Sequence, residues 1–269
     1  MLVAMTTPRI AVIGGTGLYR FLDGDVVEHE VDTPYGPPSA PVSVGTVALG
    51  DGAARSVAFL PRHGRHHEFA PHTVPYRANL WALRSLGVRK VFAPCAVGSL
   101  TRELPPGTIA VPDQLVDRTT SRVSTYFDGP AVHVGFADPY CPVLRAVALG
   151  SDPSVAEGGV MTVIEGPRFS SRAESQWYAA QGWSLVNMTG LPEAALAREL
   201  ELCYASIALV TDLDAGVEPG DGVQMTDVLS EFGRHVGRLT TTVAAAIAAT
   251  DPDAECVCAA GGHALPGPA

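Results

Sequence analysis

Five short segments of the chain carry glycine, basic, acidic or hydroxyl residues in patterns that could bind an anion or a planar base. The first is Gly14-Gly15-Thr16-Gly17, which follows an apolar run. Glycines let a backbone approach a ligand closely, and the threonine adds a hydroxyl donor. The segment is not a dinucleotide fingerprint, because Arg20 stands where the third glycine of G-x-G-x-x-G would be, and no Gly-Lys-Ser/Thr follows as in a Walker A loop. A tight turn between elements explains it equally well.

The second segment is basic and runs from Pro61 to His67, with the sequence PRHGRHH. It follows a predicted strand, so it should lie at the carboxyl edge of a sheet, where sites of α/β proteins tend to form. The planar fork of arginine suits phosphate oxygens, and histidine adds a further donor. A zinc site is disfavoured because no carboxylate or cysteine stands at a typical ligand spacing. A solvent-exposed basic loop is the alternative.

The third segment, Glu165 to Ser170, is followed by Arg172 and Glu174. Its Phe169 could present a flat face to a base. On local grounds alone, a turn closed by a salt bridge is the better interpretation.

The fourth segment, Asn187 to Gly190, stands with Glu193 at a predicted strand-to-helix junction. Amide groups at a helix start favour anions, and Thr189 adds a hydroxyl. A simple helix N-cap explains the same residues equally well.

The fifth segment places Asp212 and Asp214 two residues apart at a predicted strand end, so both could point to one side. A protonated carboxyl could donate to a ring nitrogen, and an ionised one could accept from an exocyclic amine. A metal pair is weakly supported because no further acidic residue lies close in sequence. An ordinary acidic turn remains the alternative.

The elements that must position these segments alternate between strands and helices, which is typical of an α/β fold. No repeat or linker interrupts the pattern, so one domain over residues 1–250 is predicted, followed by a flexible Pro/Gly/Ala-rich tail over 251–269. Strands are predicted at 9–13, 42–49, 55–60, 88–93, 108–112, 160–164, 184–188 and 204–211, with a turn at 50–52 and helices at 76–86, 193–202 and 226–249.

Composition restricts the function classes. The 269 residues are 46% hydrophobic and 17% charged, which is enough to bury a large core, and the net charge of −10 argues against a nucleic-acid partner. A few arginines in a pocket could still attract an anion. No segment has the apolar length for a bilayer crossing, and no signal-type hydrophobic core follows the first residues, so no membrane partner and a cytoplasmic location are expected.

Five scattered cysteines make a poor disulfide framework. Cys256 and Cys258 form a C-x-C pair, but no second pair and no histidine cluster beyond His263 lie near it in sequence, so no metal site is predicted. No serine or cysteine stands in a nucleophile elbow, and covalent acyl chemistry is therefore not indicated.

Taken together, the segments resemble the methylthioadenosine phosphorylase and purine nucleoside phosphorylase family of trimeric enzymes. The matching stretches occur in family order up to residue 214. The resemblance implies a single domain with a central mixed, twisted and partly barrel-like β-sheet flanked by helices, and it implies a homotrimer. The stretches are IGGTGLY, TPYGPPSAP, PRHGRHHEFAPHTVPYRANLWALRSLGV, AVGSL, EGPRFSSRAES, NMTGLPEAALAREL and CYASIALVTDLD.

The resemblance also assigns roles to individual residues. Many family members carry threonine or serine at the position of Cys95, and the loss of that hydroxyl removes one expected phosphate contact while leaving the amide of Ala96. His133 is implied to reach the 5′ end of the nucleoside bound by a neighbouring subunit. For the nucleoside, the resemblance implies that Met188 lies against the ribose, that Phe169 packs by the base, and that Asp212 and Asp214 bind the base edge. Ser170 and Met225 are implied to tune specificity, and Met225, Val228 and Leu229 to line a pocket for a 5′-methylthio group. The implied phosphate ligands are Thr16, Arg62, His63, Cys95, Ala96 and Thr189.

The substrate prediction depends on the two aspartates. Family members that use 6-oxopurines carry asparagine at the first of these positions, whereas Asp212 and Asp214 suit a 6-aminopurine. The expected reaction is phosphorolysis of S-methyl-5′-thioadenosine, with inorganic phosphate as co-substrate, Asp212 as the acid and no cofactor. Gly190 resembles the methylthioinosine-preferring branch, so a 6-oxopurine nucleoside or methylthioinosine is the alternative. A nucleoside-binding protein without activity is a further one.

Overall fold

The computed structural model describes residues 7–19, 21–49, 53–220, 222–259, 261 and 263–265, and an eleven-stranded mixed sheet forms its centre. The strands are β1 (Ile10–Gly14), β2 (Asp23–His29), β3 (Val42–Ala48), β4 (Ala54–Pro61), β5 (Lys90–Ser99), β6 (Ile109–Val111), β7 (Gln114–Arg118), β8 (Ala156–Glu157), β9 (Val160–Ile164), β10 (Leu185–Asn187) and β11 (Cys203–Leu213). The helices are α1 (Tyr76–Ser85), α2 (Pro142–Gly150), α3 (Arg172–Ala180), α4 (Gly190–Glu199) and α5 (Met225–Ala249).

The sheet branches at β5. Its main order is β2-β3-β4-β1-β5-β10-β9-β7. In the second branch, β11 pairs with β5 along nearly its whole length, β6 pairs with β11, and β8 pairs with β6. β1 is parallel to β4 and β5, and β11 is parallel to β5, whereas β2, β3 and β4 pair antiparallel. The predicted α/β fold with a mixed sheet flanked by helices is therefore confirmed.

The central strands are continuous apolar runs because helices or other strands cover both of their faces. Every residue of β1 is buried, and β11 is buried from Cys203 to Thr211 before its last two residues emerge. Helix α5 packs on β11 with Val228, Phe232 and Leu239 among its buried residues. Because β1, β4, β5 and β11 run parallel to one another, their carboxyl ends lie at the same edge of the sheet.

All the predicted strands and helices are present, with ends shifted by a few residues, and the turn predicted at 50–52 lies outside the described residues. The structure adds five elements that sequence patterns did not indicate: β2, β7, β8, α2 and α3. Among the residues that the structure describes, no helix combines the length and the apolar character that a bilayer crossing requires.

The segment after α5 returns to the body of the fold in its described part. The buried ammonium of Lys90 donates to the carbonyl oxygens of Pro252 and Ala254, at 3.2 and 2.8 Å. A short 3₁₀ turn over Val257–Ala259 follows and buries Cys258. Residues 251–259 are thus held against the start of β5.

Candidate active site

A cavity of about 480 Å³ opens where β1, β4, β5 and β11 end. This is the position expected for a site in an α/β fold, and the volume suits a small ligand. Thirteen of the site residues predicted from the sequence line this cavity: Thr16, Arg62, His63, Cys95, Ala96, Phe169, Ser170, Met188, Thr189, Asp212, Asp214, Met225 and Val228.

Two predicted site residues do not line the cavity of their own chain. His133 is exposed in the irregular segment between β7 and α2, and Leu229 is 47% exposed on α5. Leu229 is one position from Val228, which faces the cavity, so the helix turns its side chain outward. The role of His133 at a neighbouring subunit stays a prediction.

Arg62 forms a buried ion pair at the polar end of the cavity. Its Nε and Nη2 donate to the two carboxylate oxygens of Glu193 at 2.6 and 2.8 Å, and both side chains are 1% exposed. The hydroxyl of Tyr204 donates to the same carboxylate at 2.8 Å. Burial opposes the charge of Arg62, but the contact with Glu193 outweighs it and raises the pKa of the guanidinium. Arg62 therefore stays charged and fixed in one orientation.

The guanidinium keeps one N–H for a ligand. Of the five N–H donors of an arginine, two are bound to Glu193, and one each points to the carbonyl oxygens of Pro94 and Ile13, both at 3.3 Å. The backbone of Gly15 passes so close that a Cβ there would lie 2.8 Å from Arg62 Nη1. Glycine is required at position 15 because any side chain would collide with the arginine.

His63 lies beside Arg62 and is 3% exposed. Burial and the neighbouring positive charge of Arg62 lower the pKa of His63 to about 4, so the ring is neutral at pH 7. Its Nδ1 lies 2.8 Å from the carbonyl oxygen of Phe69, which only accepts, so Nδ1 carries the proton and Nε2 offers a lone pair. The ring stacks on His67, another cavity residue, with centroids 4.6 Å apart.

Cys95 and Ala96 contribute the β5 side of the cavity. The thiol of Cys95 lies 3.3 Å from the hydroxyl of Ser206, and burial raises the pKa of the thiol. A neutral thiol is a weak donor, so it supplies less than the hydroxyl that the resemblance led us to expect there.

The start of α4 is organised by Asn187. Its Oδ1 accepts from the amides of Thr189 and Gly190, both at 2.7 Å, and its Nδ2 donates to the carbonyl oxygen of Ala96 at 3.3 Å. The N-cap residue of α4 is Thr189, which makes no side-chain capping bond, so Asn187 satisfies the first amides in its place, and Thr189 lines the cavity. A Cβ at Gly190 would lie 3.2 Å from Val163 Cγ2 and 3.4 Å from Asn187 Oδ1. Glycine at this position therefore allows the start of α4 to pack closely against β9.

Arg122 is a positioning residue that sequence reasoning missed. Its side chain is 2% exposed and donates to the carbonyl oxygens of Met188, Leu191 and Glu165. These bonds hold the chain that carries Met188 and Thr189 against the cavity. Arg122 lies in an irregular stretch where an isolated arginine resembles a surface residue, and no sequence pattern indicates its burial.

Asp212 and Asp214 form the acidic end of the cavity. The ladder between β11 and β5 is irregular between Val210 and Asp212, and Gly98 on β5 leaves room for the carboxylate, since a Cβ there would lie 2.9 Å from Asp212 Oδ1. A bulge of this kind redirects a side chain next to a site. Thr211 donates its hydroxyl to Asp212 Oδ2 at 2.8 Å.

The two carboxyl groups differ from ordinary surface acids. Burial raises the pKa of Asp212 to about 7, and it also raises the pKa of Asp214. Contacts from Ser175 and Ser170 partly offset the effect of burial on the pKa of Asp214. Asp214 Oδ2 and the hydroxyl oxygen of Ser170 are buried and make no well-aligned hydrogen bond among the residues described, so a ligand that reaches them can complete their bonding.

The third segment serves the cavity and closes a turn at once. Arg168 and Glu174 make a two-point ion pair at 2.7 Å each, and Ser171 and Glu174 form a capping box that starts α3. These bonds fix the turn that presents Phe169 and Ser170 to the cavity. The salt-bridged turn therefore occurs together with a phenylalanine that lines the cavity, and the packing of Phe169 by a base stays a prediction.

The arrangement has three chemical parts. Hydroxyl, guanidinium and amide donors suit the binding of an oxyanion. An apolar wall that includes Met188, Met225 and Val228 suits a hydrophobic part of a ligand. The two acids with raised pKa suit a nitrogen-containing ring. A carboxyl with a pKa near 7 suits general acid chemistry at neutral pH.

Comparisons with known proteins agree on one family. Residues 9–249 match the model of the phosphorylase superfamily. An S-methyl-5′-thioadenosine phosphorylase of Mycolicibacterium smegmatis is 64% identical over 92% of this chain and 93% of the relative. A purine nucleoside phosphorylase of Streptomyces coelicolor is 57% identical over 94% of this chain and 93% of the relative. The solved structure of methylthioadenosine phosphorylase from Schistosoma mansoni with adenine has a TM-score of 0.83 at 34% identity, covering 91% of this chain and 93% of that one.

Proposed function

The chain belongs to the phosphorylase superfamily, and from this premise we propose that it cleaves S-methyl-5′-thioadenosine with inorganic phosphate. The products are adenine and 5-methylthioribose 1-phosphate. The carrying observation is the pair Asp212 and Asp214 in a cavity whose opposite end is built from oxyanion donors. The names of the relatives support the same reaction class.

The phosphate lies at the end formed by Thr16, Arg62, His63 and Thr189. The remaining N–H of Arg62 and the two threonine hydroxyls donate to its oxygens, and Nε2 of neutral His63 accepts from a protonated phosphate oxygen. Glu193 balances the charge of Arg62, so hydrogen bonds from fixed donors, rather than excess positive charge, hold the anion in place.

The nucleoside spans the rest of the cavity. Met188 contacts the ribose and Phe169 packs by the base, while Met225 and Val228 surround the methylthio group. Asp214 accepts from the exocyclic amine of adenine, and Ser170, which contacts Asp214, completes the base contacts. A 6-oxo group at the same place would face a carboxylate acceptor, which disfavours oxopurines by about 1–3 kcal/mol for the lost partner.

The reaction proceeds by stretching of the glycosidic bond, which leaves positive charge on the ribose. Phosphate stabilises this charge and attacks C1′, and Asp212 donates its proton to N7 of the departing adenine. The enzyme contributes positioning and electrostatics, with no metal or organic cofactor in the chemistry. We assign the protein to the cytoplasm and to a homotrimer in which His133 reaches the 5′ end of the neighbouring nucleoside.

A 6-oxopurine nucleoside or methylthioinosine is the second candidate substrate. It is favoured by the relative named as a purine nucleoside phosphorylase, which is similar to this chain over nearly its whole length. Gly190 lies close to Val163, so the glycine at this position also has a packing reason that does not depend on the base.

The direct test of the reaction class is the phosphate requirement. Purified protein is incubated with S-methyl-5′-thioadenosine with and without phosphate, and adenine and the sugar phosphate are both measured. Adenine release that needs phosphate and yields an equal amount of 5-methylthioribose 1-phosphate supports the proposal. Equal release without phosphate would indicate a hydrolase, and binding of the nucleoside without any release would indicate a binding protein.

A further inference from the structure

Four cysteine sulfurs meet far from the cavity, at the end of the sheet where β11 begins. The sulfur atoms of Cys141, Cys203, Cys256 and Cys258 all lie within 4.8 Å of one another, and Cys141 Sγ is 3.5 Å from Cys256 Sγ. All four are free thiols. Cys203 starts β11 and Asp212 stands near its end, so about nine residues of extended strand, about 30 Å, separate the cluster from the acids.

We propose that these four cysteines form a structural zinc site. Zinc binds four thiolates in a tetrahedron with Zn–S distances of about 2.3 Å, which places the sulfurs about 3.8 Å apart. The observed separations bracket this value, whereas a disulfide needs about 2.05 Å between two sulfurs. The C-x-C pair had no partner in the sequence, and the fold supplies one in Cys141 and Cys203.

The surroundings suit a charged metal–thiolate group. Cys141 is the N-cap residue of α2, so its sulfur lies at the positive end of a helix, which favours a negatively charged thiolate. Lys90, a buried cation on β5, is the register partner of Cys203 and offsets part of the net −2 charge of a four-thiolate zinc centre.

The site would connect three distant parts of the chain. Cys141 belongs to the start of α2, Cys203 to the start of β11, and Cys256 and Cys258 to the segment after α5. Cys141, Cys203 and Cys258 are at most 3% exposed, and Cys256 is partly exposed, which gives an ion a way in. Each thiol that binds Zn²⁺ releases its proton to solvent, and no oxidation is involved. The site therefore fastens the end of the chain to the sheet.

The test uses the full chain and Zn²⁺ as the probe. Protein purified under reducing conditions is stripped with a chelator, reloaded with Zn²⁺, freed of excess metal and analysed for zinc by mass spectrometry. We expect about one zinc per chain and a higher melting temperature than in the stripped protein. Replacement of Zn²⁺ by Co²⁺ should give the sulfur-to-cobalt charge-transfer and visible bands of a tetrahedral thiolate site.

Variants localise the metal. The double variant Cys256→Ser, Cys258→Ser should lose the zinc and its effect on the melting temperature, whereas Cys95→Ser, which removes a cysteine outside the cluster, should retain the metal. Absence of zinc and of the cobalt bands in the reloaded wild type would overturn the proposal. An intact mass lower by two hydrogens per disulfide in a separate preparation made without reductant, with no metal bound, would also overturn it, as would loss of zinc in Cys95→Ser alone.

Discussion

Replacement of Asp212 by asparagine tests the acid that the proposed mechanism needs. In the wild type, burial raises the pKa of this carboxyl to about 7, so it can carry a proton near neutral pH, which an ordinary aspartate does not. Asparagine keeps the size and can donate a hydrogen bond to N7, but it cannot deliver a proton. The substitution therefore removes proton transfer while keeping most of the ground-state contact.

The expected size of the effect follows from this difference. Loss of general acid catalysis costs about 10²- to 10⁴-fold, which corresponds to about 3–5 kcal/mol in the barrier. For Asp212→Asn, kcat on S-methyl-5′-thioadenosine should fall in this range while KM changes little. The preference for 6-oxopurines over 6-aminopurines should rise, since the NH2 group of asparagine can donate to a 6-oxo oxygen as well as to N7.

The assay is the pH dependence of kcat at saturating, constant phosphate for both proteins. A group that acts as an acid with a pKa of about 7 loses its proton as pH rises through 7, so the wild-type rate should fall there relative to the variant. Asp214→Leu is the control at the second acid, because leucine has a similar size and removes the acceptor for the amine, and it should raise KM by about 5- to 150-fold. Equal selectivity and equal pH profiles of wild type and Asp212→Asn would refute the role of Asp212.

Three further predictions concern the groups that hold the site. Glu193→Gln leaves Arg62 buried without its counter-charge, so the free energy of unfolding measured by chemical denaturation should fall by about 3–5 kcal/mol and phosphate should bind more weakly. An unchanged stability would contradict a stabilising role of the Arg62–Glu193 ion pair. His63 has an ordinary pKa of 6.5 in the unfolded chain and a pKa of about 4 in the native chain, so it lowers the stability of the native state as pH falls from 6.5 to 4. The difference in unfolding free energy between wild type and His63→Gln should therefore change by about 3 kcal/mol across that window, and a constant difference would speak against a buried neutral ring. Arg122→Met should raise KM for the nucleoside by at least about tenfold because the chain at Met188 loses its buried donors, and a normal KM in a folded variant would exclude the positioning role.

The fold was largely predictable because its central strands are unambiguous apolar runs. The strand predicted at 160–164 has the same bounds as β9, and the long helix predicted at 226–249 differs from α5 by one residue. The missed elements have weaker patterns. β2 contains three charged residues in seven, and α3 begins inside the segment that was interpreted, on local grounds, as a turn closed by a salt bridge.

The site was predictable where one residue type has one plausible use, and less so where burial decides the role. Arg62 and Asp212 could be proposed from their positions after strands. The partner of Arg62 could not, because Glu193 lies 131 positions away along the chain and reaches it only through the packing of α4 on the sheet. The same reason hides Arg122 and the cysteine cluster, whose members are brought together by tertiary structure from separate segments.

The most direct measurement of the central claim is the ratio of kcat/KM for S-methyl-5′-thioadenosine to that for methylthioinosine, at constant phosphate. The two substrates share the ribose and the methylthio group and differ in the base edge that Asp212 and Asp214 face. We predict a clear preference for S-methyl-5′-thioadenosine, and a phosphate-dependent release of adenine. A preference for methylthioinosine would contradict the assignment of the two aspartates to a 6-aminopurine.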